Sequence, residues 1–260
     1  MRLSIVGSDY PLPPGAAATM PNPLWRLTWA LSEIKGDNED IRIPEFYDAV
    51  EGPSRADNIV LRQIRLAEAD RLRTWQSRAF LFDLSGAPLT RAEVTLPTCN
   101  LSSLVCEPGD SGGAVPAAAS ATLDFQLVPA QQPQHILTML REHLIARGFE
   151  DVQVEALPGG YPAIHSSAEH PQIARFAALI ADDDLPLLLP AGPFSLPLHP
   201  LAEHFAAPVA ALGVGTASGA AYGPDEHVRL ATLLDHGSLL LRLMADLTRQ
   251  DAYATIAPRG

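Results

Sequence analysis

The sequence predicts an α+β domain of the ferredoxin-like type over residues 1–157, followed over residues 158–260 by part of an α/β domain. In the first stretch, hydrophobic periodicity gives the order strand, helix, strand, strand, helix, strand. That order builds a four-stranded antiparallel sheet with two helices on one face. In the second stretch helical and strand-like patterns alternate, as they do where helices pack on a sheet.

The first strand and helix have clear local signals. Arg2 to Val6 alternate between apolar and polar side chains, which indicates a strand. After a loop rich in Pro, Gly and Ala, Asn22-Pro23 caps a helix whose apolar residues recur at helical spacing from Leu24 to Ile34. Gly36 is expected to end this helix.

Residues 37–92 have the composition of a polar insertion within the first domain. A charged run around 54–78 is typical of helix, and Ser85-Gly86 indicates a turn. Glu93 to Leu101 predicts a strand. The glycine-rich stretch Pro108 to Gly113 predicts a loop, because no regular element tolerates that composition.

The rest of the first domain repeats strand, helix and strand. Ala121 to Val128 alternates like a half-buried strand. Pro133 begins a helix that Gly148 ends, and Val152 to Ala156 forms the last strand. A sheet built this way leaves an edge strand open to pairing.

The second domain is expected to contain two helices and two strands. The helices are predicted near Pro171–Ala181 and from about Asp225 to Leu247. The strands are predicted near Leu187 and over Pro208–Val214.

Charge and cysteine usage exclude several classes of protein. The net charge of −12, from 30 acidic and 18 basic residues, argues against a nucleic-acid or anionic-membrane surface. Cys99 and Cys106 are expected to be free thiols, and no signal segment opens the chain, so we expect a cytoplasmic protein. Apolar stretches such as Leu185–Pro190 are too short to cross a bilayer.

Six short motifs occur in an order and spacing that resemble those of the M20 family of metallopeptidases and amidohydrolases. The insertion with Pro-x-Phe-Tyr-Asp is most similar to the dipeptidase-like branch. The motifs are Pro21-Asn22-Pro23, Ile43-Pro44-Glu45-Phe46-Tyr47-Asp48, Leu96-Pro97-Thr98-Cys99-Asn100, Val115-Pro116-Ala117-Ala118-Ala119, Leu127-Val128-Pro129-Ala130-Gln131 and Tyr222-Gly223-Pro224-Asp225-Glu226.

The resemblance implies a lid domain that dimerises, followed by the C-terminal part of a catalytic domain that uses two zinc ions. Four of the five metal-ligand positions and the catalytic glutamate belong upstream of the lid and have no counterpart in this sequence, so no catalytic residue and no metal ligand are expected. The fifth ligand is a His in the family, and Tyr222 stands in its place. A phenol ionises only near pH 10 and is a poor substitute for imidazole. We expect Tyr222 to pack in a vacated pocket, with a role as an anionic ligand as the alternative.

The same resemblance marks candidate substrate-binding residues. Asn100 is retained as a lid-type substrate contact, with a strand-end hydrogen bond as the alternative. Gln126 replaces an Arg that resembles a carboxylate clamp, which removes a bidentate cationic fork. Ser195 lies in the loop that matches the family's Gly-Gly-Ser/Thr-Ile-Pro. The neighbouring Phe194 is expected to fill space that a substrate backbone would use. Pro13 lies roughly where the family's lid has a His.

Other polar clusters favour ordinary structural roles. The first histidine pair is expected on a solvated helix surface, because a spacing of five places its members on different helix faces, and the second pair is expected in a polar linker. The aspartate run is expected in a solvated loop, and Gly109–Gly113 lacks the His, Asp and barrel of a serine protease. The clusters are His199 with His204, His165 with His170, and Asp182-Asp183-Asp184.

The sequence leaves two functions open. The chain is either the lid and C-terminal catalytic segment of an M20-type zinc hydrolase, separated from its metal-binding half by truncation, gene splitting or degeneration, or a non-catalytic dimerisation or ligand-binding protein derived from that family. In the first case any activity would need another chain to supply the missing half. In both cases a homodimer through the lid is expected. Trp25 and Trp29 lie one turn apart on one helix face, and we expect at least one of them in the core.

Overall fold

The computed structural model describes residues 1–64, 66–109, 112–181, 191–192, 196–215 and 219–248. Their contacts divide the chain into two compact units. The first comprises Met1–Gly52, Thr95–Ile164 and Phe194–Glu203, and the second comprises Pro53–Val94, His165–Pro193 and His204–Gly260. Residues 37–92 were expected as an insertion in the first domain, and the contacts group Pro53–Val94 with the C-terminal part. The domain boundaries themselves stay predictions.

Strands and helices alternate irregularly along the chain. The strands are β1 (Arg2–Val6), β2 (Thr98–Glu107), β3 (Ala118–Gln126) and β4 (Gln153–Glu155). The described helices are α1 (Pro23–Ile34), α2 (Arg55–Gln63), α3 (Glu68–Thr74), α4 (Gly86–Thr95), α5 (Pro133–Ala146), α6 (Pro171–Ala181), α7 (His199–Phe205) and α8 (Leu230–Leu247).

The first unit is a four-stranded sheet with strand order β2-β3-β1-β4, and all neighbouring strands are antiparallel. With α1 following β1 and α5 following β3, this is the ferredoxin-like topology that the sequence predicted. The ten-residue strand β2 and the three-residue strand β4 form the two edges. The predicted α+β fold of this part is confirmed.

One hydrophobic core joins the helices to one face of the sheet. Leu3 of β1 lies opposite Ala121 of β3, and both are buried with Leu27 of α1 and Leu140 of α5. Burying one such leucine contributes about 1.5–3 kcal/mol, so these side chains are a main source of the stability of the first unit.

Helix α1 begins and ends where its local signals predicted. The side-chain Oδ1 of Asn22 accepts a hydrogen bond from the Leu24 N–H at 2.9 Å, and Pro23 occupies the first helical position. The expectation about its tryptophans is wrong. Trp25 and Trp29 are 59% and 54% exposed, because the helix buries the opposite face, and their rings stack on each other at 6.2 Å.

The strand predicted over Glu93–Leu101 begins later than expected. Glu93 and Val94 belong to helix α4, which buries Leu89 and Thr90, and β2 starts only at Thr98. The strand then continues to Glu107, with a bulge between Leu101 and Ser103. The alternation of Glu93 to Leu96 was misleading because packing of α4 outweighed the local strand pattern.

The second unit is helical wherever it has regular structure among the described residues. Helix α6 matches its prediction, and α8 begins at Leu230, five residues later than expected. The Arg175 guanidinium on α6 donates a hydrogen bond to the Asp246 carboxylate on α8 at 2.9 Å. The strand predicted over Pro208–Val214 is wrong, since this segment has no regular structure. The strand predicted near Leu187 lies outside the described residues.

Two further properties bear on function. Within the described part of the chain, no helix combines the length and apolar character needed to cross a membrane. Cys99 and Cys106 are free thiols, as predicted, with Cys99 buried on the core side of β2.

Candidate functional site

Asn100 and Gln126 lie together on the open face of the sheet, the face that α1 and α5 do not cover. In the β2–β3 ladder Asn100 is opposite Asp124 and Thr98 is opposite Gln126. Successive strand residues point to opposite faces, so these four side chains share one face while Cys99 and Phe125 face the core. All four are exposed. The structure thus brings two of the candidate substrate-binding residues together.

The open face at this place is rich in hydrogen-bonding groups. Asn100, Gln126 and Thr98 offer both donors and acceptors, whereas Asp124 offers a carboxylate. Neither these four positions nor the register partners between them carry a guanidinium, so a ligand carboxylate would meet no bidentate fork at this place. Asp124 was not singled out from the sequence. Strand alternation could have found it, since it is two residues from Gln126.

Cys99 lies beneath this surface and does not take part in it. Burial raises the pKa of its thiol to about 11. The thiol therefore stays protonated at neutral pH and cannot act as a nucleophile.

The loop that carries Pro13 is fixed to the first unit by a pair of backbone hydrogen bonds. The Leu12 N–H donates to the Val115 carbonyl at 3.0 Å, and the Val115 N–H donates to the Leu12 carbonyl at 2.9 Å. Pro13 follows directly, is exposed, and has no polar side-chain atom. Its side chain can neither donate a hydrogen bond nor coordinate a metal ion, as an imidazole can.

Tyr222 lies on the surface in a tight turn, and the expectation that it packs in a pocket is wrong. Its side chain is fully exposed. Its backbone φ is 61°, and Ala220 and Asp225 nearby also have positive φ. The Glu226 carboxylate accepts a hydrogen bond from the Tyr222 N–H at 3.1 Å, which closes the turn. The carboxylate of this motif thus contacts its own backbone, and the tyrosine ring lies in solvent.

The described residues do not fit a dinuclear zinc centre. Among them no group of three or more His, Cys, Asp or Glu side chains is arranged to hold a metal ion. His199 lies 3.8 Å from Glu203, and the His204 ring packs against Phe205. The His170 ring nitrogen Nδ1 accepts a hydrogen bond from the Gln172 N–H at 3.3 Å.

The remaining candidates fall outside the described residues. These are Ser195, Phe194, the Asp182–Asp184 run, and Asp110 and Ser111 of the glycine-rich loop. Their predicted roles stay predictions.

A Ser-Asp-His cluster in the second unit was not anticipated. Ser54 Oγ donates to Asp57 Oδ2 at 2.7 Å, and His165 Nε2 lies 3.4 Å from the same oxygen. The Ser54-x-x-Asp57 spacing is that of a helix capping box, which is the signal that could have revealed it. The carboxylate lies between the hydroxyl and the imidazole. A hydrolytic triad needs the imidazole in the middle, so this cluster does not activate a nucleophile.

Comparison with known proteins finds solved structures of similar fold but no relative by sequence. No family model and no curated protein matches the chain. Among solved structures, the di-peptidase Dug1p from Saccharomyces cerevisiae superposes with a TM-score of 0.80 at 13% identity over 94% of this chain. Human carnosine dipeptidase 1 gives a TM-score of 0.78 at 15% identity over 93%. The M20 family metallo-carboxypeptidase Sso-CP2 from Sulfolobus solfataricus gives 0.71 at 21% identity over 77%.

These matches define the class of fold. The chain has the fold of part of an M20-type peptidase, with the lid-like sheet that the motifs predicted. It spans about half of the matched structures, since it covers 52–53% of each of them.

Proposed function

We propose that this chain is a peptidase-like protein of the M20 type that does not hydrolyse peptide or amide bonds by itself. The fold supports the first part, because the matched structures are a metallo-carboxypeptidase and two dipeptidases. The observation that carries the second part is Tyr222. It stands where the motif has a zinc-binding His, and it is fully exposed in a turn closed by Glu226.

The chemistry of the family supports the same proposal. Zinc-dependent hydrolysis needs cations that polarise the carbonyl and generate hydroxide, and a carboxylate that moves the proton. The described residues supply neither a set of ligands nor a placed carboxylate for this task. Hydrolysis would therefore require a metal-binding half supplied by other residues or by a separate chain. We also propose that the protein is cytoplasmic, because Cys99 and Cys106 are free thiols and the chain is acidic.

The second candidate function is non-catalytic binding of a small ligand. It is favoured by the open face of β2 and β3, where Asn100, Asp124 and Gln126 are exposed together. These groups hydrogen-bond a polar ligand without the cationic fork that would hold a substrate carboxylate.

Metal analysis and activity test the first proposal together. After purification from zinc-supplemented medium, elemental analysis is expected to find far less than one zinc per chain. Dipeptide hydrolysis is expected to be absent, and Tyr222→His alone is expected to restore neither metal nor activity, because one imidazole cannot hold two zinc ions. Tightly bound, EDTA-sensitive zinc in the wild-type chain would contradict the proposal.

We also propose that two copies associate through the edge of the lid. Strand β2 is long, and its edge exposes Leu101, Leu104 and Val105. It carries no Lys or Pro, the residues that commonly protect an edge strand. Leu104→Lys is therefore expected to lower the molar mass measured by light scattering at micromolar concentration. Ile145→Lys, on the exposed surface of α5, is the matched control.

A further inference from the structure

Helix α8 has apolar side chains on two opposite faces. One face carries Leu239, Leu243 and Asp246, which are buried within the second unit. The other face exposes large aliphatic side chains that are between 41% and 71% accessible. They are Leu230, Leu233, Leu234, Leu240, Leu241 and Met244, and we call them the α8 stripe. A helix of a single compact unit normally carries polar residues on the face that does not pack.

Gly237 lies at the centre of the α8 stripe, and the packing of the chain does not explain it. A Cβ added at this position would meet nothing within 4 Å. Glycine weakens a helix interior compared with alanine, and at this position the helix gains no internal contact in return. A glycine in an apolar helix surface allows another backbone to approach closely.

The α8 stripe is symmetric in sequence about Gly237. Leu234 and Leu240 are each three residues from it, and Leu233 and Leu241 are each four residues away. Leu230 and Met244 are each seven residues away. These offsets of three, four and seven are the positions that share one helix face with the central residue.

We propose that two copies of this chain pair through the α8 stripe, as antiparallel helices related by a two-fold axis at Gly237. An isologous interface must be complementary to itself, and a surface symmetric about its own centre meets that condition. Leu234 of one copy then packs against Leu240 of the other, and Leu233 against Leu241. The glycines lie at the axis, where the helices are closest.

The charges of α8 are compatible with this pairing. Asp235, Arg242 and Asp246 lie on the other side of the helix from Gly237, as their spacing from it requires. No charged residue occurs among the stripe residues, so the pair brings no like charges together.

Light scattering across a concentration series tests the pairing. Gly237→Glu places two carboxylates at the axis, while glutamate favours helix more than glycine does, so the variant is expected to fold. It is expected to raise the dissociation constant of the pair by about tenfold or more. Ala231→Glu adds the same charge on the same helix outside the stripe and is expected to change nothing. Both variants are also measured in the Leu104→Lys chain, which separates this contact from one at the lid edge.

Cysteine cross-linking tests the direction of the helices. In a Cys106→Ser background, Gly237→Cys is expected to form a dimer under mild oxidation, because the axis brings the two thiols together. Leu230→Cys alone is expected not to cross-link, whereas a mixture of Leu230→Cys and Met244→Cys chains is. Equal self-linking at residues 230 and 237 would indicate parallel helices and overturn the proposal. So would an unchanged mass for Gly237→Glu, or binding of phosphatidylcholine vesicles by a chain that stays monomeric.

Discussion

The first unit covers its own hydrophobic core, whereas the second exposes much of its apolar surface. In the first unit all four strands and both helices contribute to one cluster around Leu3, Leu27 and Leu140. In the second unit the long helix α8 buries Leu239 and Leu243 but exposes the six residues of the stripe. The sequence of the first unit therefore places most of its large aliphatic side chains in one core, while α8 of the second unit presents an apolar face to solvent.

The largest expected effect comes from the core of the first unit. Leu140→Ala removes a fully buried side chain and is expected to lower the free energy of unfolding by about 2–5 kcal/mol. Leu241→Ala, on the α8 stripe, is expected to cost at most about 0.5 kcal/mol at concentrations where the chain is monomeric. Chemical denaturation followed by circular dichroism measures both. Equal losses would remove the contrast between the two units.

Within the second unit, the ion pair between α6 and α8 is expected to matter more than any exposed residue. Arg175→Met removes the guanidinium that bonds the buried Asp246 carboxylate. The expected cost is about 1–3 kcal/mol. Arg78→Met, at an exposed position of the same unit, is the control. If thermal unfolding shows no difference between the two variants, α6 and α8 do not depend on this contact.

The cap of α1 is expected to have a smaller effect. Asn22→Ala removes the acceptor of the Leu24 N–H and should cost about 1 kcal/mol. Ser32→Ala changes a polar residue of the same helix away from the cap and serves as the control. The two are compared by urea denaturation of the full chain, and a cost for Ser32→Ala as large as that for Asn22→Ala would refute the capping role.

The smallest expected effect is a pH dependence of the first unit. The Arg26 guanidinium bonds to Asp151 at 2.8 Å and lowers the pKa of that carboxyl. Because the pKa of Asp151 is lower in the folded chain than in the unfolded chain, the ionised carboxylate stabilises the fold at pH values above the ordinary aspartate pKa of about 3.9. This stabilisation is lost as the pH falls through the pKa of Asp151 in the folded chain. Because the pair is partly exposed, the contribution is about 0.2–1 kcal/mol.

Asp151→Asn isolates this titration from that of the other carboxylates. The wild-type chain is expected to be more stable than the variant at neutral pH, and the difference should vanish at strongly acidic pH. Denaturation at a series of pH values measures it. A stability difference that stays constant down to acidic pH would show that the charge of Asp151 is not the cause.

Local signals predicted much of the fold. The starts of α1, α5 and α6 carry Pro at the first helical position, so their N-termini were predicted within one residue. The strand predicted over Pro208–Val214 failed, because a strand also needs a partner strand, and the described residues of the second unit contain none.

For the candidate site, the sequence predicted which strand positions share a face, but not which side chains are exposed. Alternation was enough to place Asn100 and Gln126 on one face once the β2–β3 register was known. The exposure of Tyr222 and Trp25 could not be predicted in this way. Both expectations assumed that a large ring is covered, and coverage depends on tertiary contacts that spacing does not encode.

The buried Cys99 is a natural probe of local unfolding in the first unit. With a thiol pKa of about 11, the folded chain offers almost no thiolate at neutral pH, and the core-side position shields the sulfur from reagents. Cys106 is only partly covered and should react first. Slow labelling of Cys99 then reports how often the sheet separates from its helices. A thiol reagent and a mass spectrometer would follow the opening of this domain with no substitution in the sequence.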